Sequence, residues 1–271
     1  MPLKFALIGD GAIARHHREA IKHVGGELIC VVDPKYPLKE SSSVGWIPLI
    51  KIEELSSLYP MPDYVVIASP SHLHRMQIKQ ILALDNFSGQ IICEKPAFLP
   101  WEPIVDSSRI NIVLQLRYMP NLPKKADIVS VRFVRDEAYF RSWKGDARKT
   151  GGLFYNLFIH YIYLAQMLGA DFEGTVTGHG EQERWIGVEQ CSVPHPLLSH
   201  TSMVEYKDTI DILNIDNQAC YNKLYEEVLA GNGIKPSCLF YLNWILNRNS
   251  EMFGYGLYAL NKTITIKSEL M

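Results

Sequence analysis

An apolar run at residues 4–8 leads straight into Gly9-Asp10-Gly11-Ala12-Ile13-Ala14, and a helix-like stretch follows over residues 13–24. No other feature restricts the fold of this chain as much. The pattern is G-x-G-x-x-A at the joint of a strand and a helix. Gly9 permits the tight turn, Gly11 lets the backbone approach a pyrophosphate, and Ala14 is small enough for the helix to pack on the strand. The helix N-terminus offers free N–H groups and a partial positive charge to the phosphates. Asp33 ends a second apolar run at residues 28–32. It stands about 20 residues beyond the loop, where an acidic side chain accepts from a ribose 2′-OH. Loop, helix, strand and acid together predict a dinucleotide site. The Asp33 carboxylate repels a 2′-phosphate, so NAD is expected over NADP. Lys35 weakens that preference, and adenine-only ligands and flavins stay open at this point. The plain alternative is a glycine turn at a strand end.

Further apolar runs at residues 64–68, 91–93 and 112–116 alternate with the helix-like stretches 13–24 and 72–84. Fully apolar strands separated by helices indicate a parallel sheet covered on both faces. Residues 35–43, rich in Pro, Ser and Lys, read as a loop. The pattern changes after Pro120. Strands are expected at residues 127–133, 138–142, 175–180, 201–206 and 261–268, and helices at 151–168, 218–229 and 239–247. The expected fold class is α/β: a Rossmann dinucleotide-binding domain over residues 1–119, then a substrate-binding and oligomerisation α+β domain over 120–271 with a predominantly antiparallel open sheet. A chain of 271 residues suits two packed domains.

Charge and cysteine usage narrow the partners. The 27 basic and 29 acidic residues leave a net charge of −2, which is not the balance of a dedicated nucleic-acid binder. The five cysteines are odd in number and form no C-x-x-C pair, which argues against a disulfide framework or zinc site and for a reducing cytosol. The N-terminus has no signal-peptide pattern. The most apolar segment, residues 153–168, is shorter than the roughly 20 residues a membrane span needs. A cytoplasmic protein with no nucleic-acid or membrane partner is expected.

Two constellations stand out as candidate chemistry. Glu94-Lys95-Pro96 follows an apolar strand, at the edge of a parallel sheet where ligands bind. Lys95 can donate to a substrate hydroxyl, or it can be a surface lysine paired with Glu94. Gly152, Asn156 and His160 are spaced i, i+4, i+8 on the apolar helix and share one face, with Tyr163 near it. A polar stripe on an apolar helix must be satisfied or used. His160 can be the base that takes a hydroxyl proton and Asn156 can orient the substrate; the alternative is a core His and Asn bonded to backbone. Ser69 and His74 flank another turn at the ligand edge, and Arg117 and Lys144 are the positive groups suited to an anion. No metal-binding pattern is present.

Taken together these residues resemble the Gfo/Idh/MocA oxidoreductases. The marks are Gly9-x-Gly11-x-Ile13-Ala14, Glu94-Lys95-Pro96 and Gly151-Gly152 through His160, and the resemblance covers nearly the whole chain. Within that family the chain is most similar to the sugar-nucleotide 3-dehydrogenases of bacterial surface-polysaccharide synthesis. That similarity rests on 93–96, 114–117, 142–146, Asn156 and the stretch 225–233. The resemblance implies oxidation of UDP-N-acetylglucosaminuronate at C3 with NAD, for lipopolysaccharide or O-antigen synthesis, by a homo-oligomer (dimer or tetramer). It implies that Lys95 contacts the reacting hydroxyl and the nicotinamide ribose, that His160 is the acid/base, and that Asn156 holds the sugar. Gly9, Gly11, Ala12, Ile13, Asp33, Ser69, His74 and Glu94 would surround NAD, and the Lys95–Pro96 bond would be cis. The chain departs from the family at Phe158, Tyr163 and Ser71, and in a shortened stretch between residues 169 and 215. Phe158 is expected to obstruct close approach of the helix to the sheet or sugar. Two other readings follow: a catalytically weak NAD-binding subunit or sensor, and a free-sugar or inositol dehydrogenase.

Overall fold

The computed structural model describes residues 1–35, 47–49, 51–179, 201–206, 209–213, 215–240 and 263–266. The chain begins β1 (Lys4–Ile8), α1 (Ala14–His23), β2 (Glu27–Val32), β3 (Ile47–Leu49), β4 (Tyr64–Ile67), α2 (His74–Leu82), β5 (Gln90–Cys93) and β6 (Ile110–Ile112). It continues β7 (Ile128–Asp136), α3 (Glu137–Arg141), α4 (Ala147–Thr150), α5 (Leu153–Leu168), β8 (Asp171–His179), β9 (Thr201–Tyr206), β10 (Thr209–Ile212), α6 (Asn217–Leu229) and β11 (Thr263–Ile266). Two compact units result. One joins Met1–Pro120 to Asp216–Phe240, and the other joins Asn121–Ile215 to Tyr241–Met271.

The first unit holds a six-stranded sheet in the order β3-β2-β1-β4-β5-β6, parallel throughout. Phe5 to Ile8, Val65 to Ile67 and Ile91 to Cys93 are buried without alternation, as strands covered on both faces must be. Because the strands are parallel, their C-terminal ends share one edge. The order reverses between β1 and β4, where an open α/β sheet leaves a crevice for ligands.

The division differs from the expected boundary at residue 119. Residues 216–240 pack on the first unit and do not belong with 120–271. Tyr225 of α6 lies against Phe5 with ring centroids 5.9 Å apart, and Tyr221 stacks on His16 at 5.3 Å. Beyond α6 the chain covers the free edge of β6: the Ile112 amide donates to the Ile234 carbonyl at 2.7 Å, and the Lys235 ammonium donates to Asn111 at 2.7 Å. Gly233 has no side chain because Asn111 fills that space.

The second unit holds a sheet in the order β10-β9-β7-β8-β11. It is mixed. The β7–β8 pair at its centre is parallel, and the pairs β7–β9, β9–β10 and β8–β11 are antiparallel. The expected predominantly antiparallel open sheet is therefore corrected to a mixed one with a parallel centre, where α5 serves as the crossover that a parallel pair needs. Two local expectations are corrected. Residues 138–142 do not form a strand: α3 occupies Glu137–Arg141, where Glu, Ala and Arg favour helix over the β-preference of the Tyr-Phe pair. The strand expected at 112–116 ends at Ile112, and Gln115–Tyr118 is a 3₁₀ turn closed by the Arg117 amide on the Leu114 carbonyl at 3.1 Å. Trp143–Gly145, which follows α3, is a further 3₁₀ turn. The expected loop over 36–43, residues 180–200 of the shortened stretch and the helix beyond Phe240 lie outside the described residues.

Candidate active site

Parallel topology brings the first unit's candidate residues to one edge. Gly9 follows β1, Asp33 follows β2, Ser69 follows β4, and Glu94-Lys95-Pro96 follows β5. Gly9 has φ +88°, and a Cβ there would stand 2.9 Å from the Ser69 backbone, so no other residue fits. A Cβ on Gly11 would meet nothing within 4 Å. The loop is packed where it turns and open where a phosphate would approach. No side chain caps the start of α1, and its first turn has no acidic residue. The Ala14 and His16 amides close turns on the Gly11 and Ile13 carbonyls, and the partial positive charge of the helix end favours an anion at the loop. A recess of about 400 Å³ lies there, lined by Asp10, Gly11, Ala12, Arg15, Arg18 and Glu19. These features fit a dinucleotide pyrophosphate at the loop.

Asp33 also fastens this loop. One carboxylate oxygen accepts from the Asp10 amide at 2.8 Å and the other from the Lys35 amide at 3.0 Å. The Lys35 ammonium donates to the Asp10 carbonyl at 2.7 Å, and Arg18 pairs with the Asp10 carboxylate at 2.7 Å. Lys35 thus lies close to the acid that sequence reasoning set against NADP, 4.0 Å from its nearer oxygen.

Glu94 and His74 are turned inward. Glu94 is 7% exposed. One of its oxygens accepts from the Tyr221 hydroxyl and from His17 Nε2 at 3.1 Å, and the other faces the Lys95 amide at 3.3 Å. A carboxylate can only accept, so Nε2 carries a proton; His17 Nδ1 meets the Tyr225 hydroxyl at 2.9 Å. Burial alone would raise the Glu94 pKa. The His17 hydrogen bond and charge, the Tyr221 hydroxyl and the Lys95 charge outweigh burial and bring it down to about 2. His74 is 1% exposed, with Nδ1 2.8 Å from the Pro96 carbonyl and Nε2 2.7 Å from the Ser69 carbonyl. Burial outweighs these carbonyls and lowers its pKa. His74 ties the turn after β4 to the turn after β5. The Lys95–Pro96 bond is cis.

The second unit presents a helix face. Asn156 and His160 lie on α5, 8% and 7% exposed. The Asn156 amide donates to the Tyr139 hydroxyl at 3.0 Å. Tyr139 sits on α3 under the Arg135 guanidinium, which lies 5.2 Å from its ring centroid. Tyr139 lies in the segment expected as a strand, and spacing along α5 gives no hint of it. Phe158 does not obstruct this face. It is two residues from both Asn156 and His160, about 200° around the helix. It packs between Phe133 and Phe172, each 5.5 Å away, over Gly174, where a Cβ would come within 2.8 Å of its ring. Arg117 in the first unit and Lys144 in the second are both exposed. Among the described residues no cluster of three His, Cys, Asp or Glu side chains could hold a metal. No described helix is long and apolar enough to cross a membrane.

A parallel sheet with an open glycine loop at its switch point and an acid beyond the next strand defines a dinucleotide-binding α/β protein. Residues 3–131 match the oxidoreductase family with an NAD-binding Rossmann fold, and residues 124–191 match the C-terminal alpha/beta domain of that family. The chain belongs to the Gfo/Idh/MocA oxidoreductase family, and its cofactor is NAD. Among solved structures it is similar to the WlbA (WbpB) dehydrogenase from Thermus thermophilus, in complex with NAD and α-ketoglutarate. Identity is 26%, coverage is 87% of this chain and 90% of that one, and the TM-score is 0.67. The same Thermus enzyme in complex with NAD and UDP-GlcNAcA aligns with a TM-score of 0.66. A myo-inositol dehydrogenase from Corynebacterium glutamicum shares the fold at 15% identity, with coverage of 98% and 99% and a TM-score of 0.64.

Proposed function

We propose that this protein oxidises a secondary alcohol of a nucleotide sugar, of the UDP-N-acetylglucosaminuronate type, with NAD. The observation that carries the reading is the shared edge of the first sheet, where the open Gly9–Gly11 loop follows β1 and Lys95 follows β5. Likeness to the Thermus WlbA dehydrogenase, which binds UDP-GlcNAcA, supports the substrate class. Bound NAD supplies a hydride acceptor. His160 takes the hydroxyl proton as the carbon loses its hydride, so the alcohol becomes a ketone. Lys95 stabilises the developing negative charge on that oxygen. Asn156, held by Tyr139, orients the sugar, and Arg117 and Lys144 are the cations suited to the diphosphate and carboxylate. Gly9, Gly11, Ala12, Ile13, Asp33 and Ser69 shape the cofactor site, while Glu94 and His74 support it from beneath. The product suits precursor supply for a surface polysaccharide, made by a homo-oligomer in the cytoplasm.

The position of Phe158 supports a working enzyme over a catalytically weak subunit, because its bulk is absorbed on the sheet side of α5. Initial rates of NADH formation against UDP-GlcNAcA, other UDP-sugars, free sugars and inositols test the reading. Selective turnover of UDP-GlcNAcA is expected. Turnover of inositols or free sugars alone would overturn the nucleotide-sugar assignment, and NAD binding without turnover of any would favour the subunit or sensor.

A further inference from the structure

Glu94 is an expensive residue to bury. A carboxylate removed from water costs several kcal/mol unless paired, and an apolar replacement of a buried ion pair is often the more stable arrangement. Its partners come from far along the chain. Tyr221 lies 127 positions away on α6 and His17 lies 77 positions away on α1. Tyr225, one turn further along α6, backs His17 through its hydroxyl. These four side chains close on one another with little solvent contact.

The place where the network ends is informative. The Glu94 oxygen not used by His17 and Tyr221 faces the amide of Lys95. On the other side of Lys95, the Pro96 carbonyl is held by His74 from α2. The Lys95 amide is thus held by Glu94, itself fastened by His17 of α1 and Tyr221 of α6, and the peptide after Pro96 is held by His74 of α2.

We propose that Tyr221 and His17 are positioning residues: through Glu94 they fix the backbone and the charge environment of Lys95, so that α6 sets the reactivity of the lysine. This rests on the reading of Lys95 as the group that contacts the reacting hydroxyl. The Glu94 carboxylate is kept ionised at neutral pH and does not follow the lysine as a flexible partner would. Tyr221 does this with a hydroxyl alone, so removing one oxygen atom releases the carboxylate with little change of volume.

The test compares Tyr221→Phe, His17→Gln and Tyr225→Phe with the unchanged protein, and uses Tyr64→Phe as a control for loss of a tyrosine hydroxyl elsewhere in the same unit. Two quantities are read: steady-state constants, and the titration of Lys95 followed by NMR after reductive ¹³C-methylation, assigned with Lys95→Arg. Tyr221→Phe is expected to lower kcat about tenfold with KM for NAD moved less than about twofold. It should also shift the Lys95 titration downward by about half a pH unit or more as the carboxylate loosens. His17→Gln should act in the same direction and Tyr225→Phe more weakly, with Tyr64→Phe unchanged in both readouts. A folded Tyr221→Phe protein with Lys95 titration and kcat both unchanged would overturn the proposal. If the unchanged protein turns over no substrate, the reading of Lys95 fails on its own, and the NMR titration still decides whether α6 controls the lysine.

Discussion

The first unit assembles its candidate residues from five separate stretches of chain, each at the end of a parallel strand or beside one. The second carries Gly152 at the start of α5 and Asn156 and His160 along it, each about one helix turn from the next. The difference is physical. In the first unit, position depends on backbone conformation and on side chains that tie loops together: Gly9 against Ser69, Asp33 on the Asp10 amide, His74 between two carbonyls. In the second, helix geometry supplies the alignment, and what must be right is the packing of α5 on its sheet. Backbone changes should therefore damage the first region most, and volume changes beneath the helix the second.

Gly9→Ala should give the largest effect. A Cβ has no room against the Ser69 backbone at φ +88°, so NAD binding measured by titration should be lost, while Gly11→Ala, with open space around it, should fold and weaken binding far less. If Gly9→Ala binds NAD normally, the first region is not built on this turn.

Acid titration of stability comes next. Glu94 has its pKa lowered from the ordinary 4.5 to about 2 in the folded protein. Its contribution is fully present above pH 4.5 and is lost as pH falls through about 2, on the order of 3 kcal/mol by linkage. Denaturant unfolding between these limits should show that loss, and Tyr221→Phe should reduce its size.

Gly174→Ala sharpens the comparison from the other side. The added methyl meets the rings of Phe158 and Phe172 at 2.7–2.9 Å and should cost about 1–3 kcal/mol. Phe158→Leu in the same chain should recover part of it, because the two positions share one space. NAD affinity should not move in either variant. The smallest effect is expected at the exposed pair of His23 and Glu226, 2.8 Å apart between α1 and α6. His23→Gln should change stability by about 0.5 kcal/mol or less, although the same two helices meet at the buried His17 and Tyr221.

The legibility of the sequence follows the same division. Where chemistry fixes residue type and spacing, as at Gly9–Ala14, Asp33 and Glu94-Lys95-Pro96, the strand, turn and helix stand where expected. The polar spacing of α5 was equally readable, since 3.6 residues per turn decides who shares a face. Long-range packing was not readable. Nothing in the residues of α6 says that the chain returns to the first sheet, and Phe158 looked obstructive because its partner, Gly174, lies on another element. The inward turn of Glu94 was hidden for the same reason: its partners lie 77 and 127 positions away.

The proposed function assigns roles on the reacting hydroxyl to Lys95 and His160. Single-turnover formation of NADH from NAD-loaded protein and UDP-GlcNAcA tests it most directly, in the unchanged protein, Lys95→Ala, His160→Ala and the double variant. Each single change should slow the step by about a hundredfold or more, and the double variant should be little slower than either, as for residues that act as a unit. His160→Ala reacting at the unchanged rate, or losses that multiply in the double variant, would contradict it.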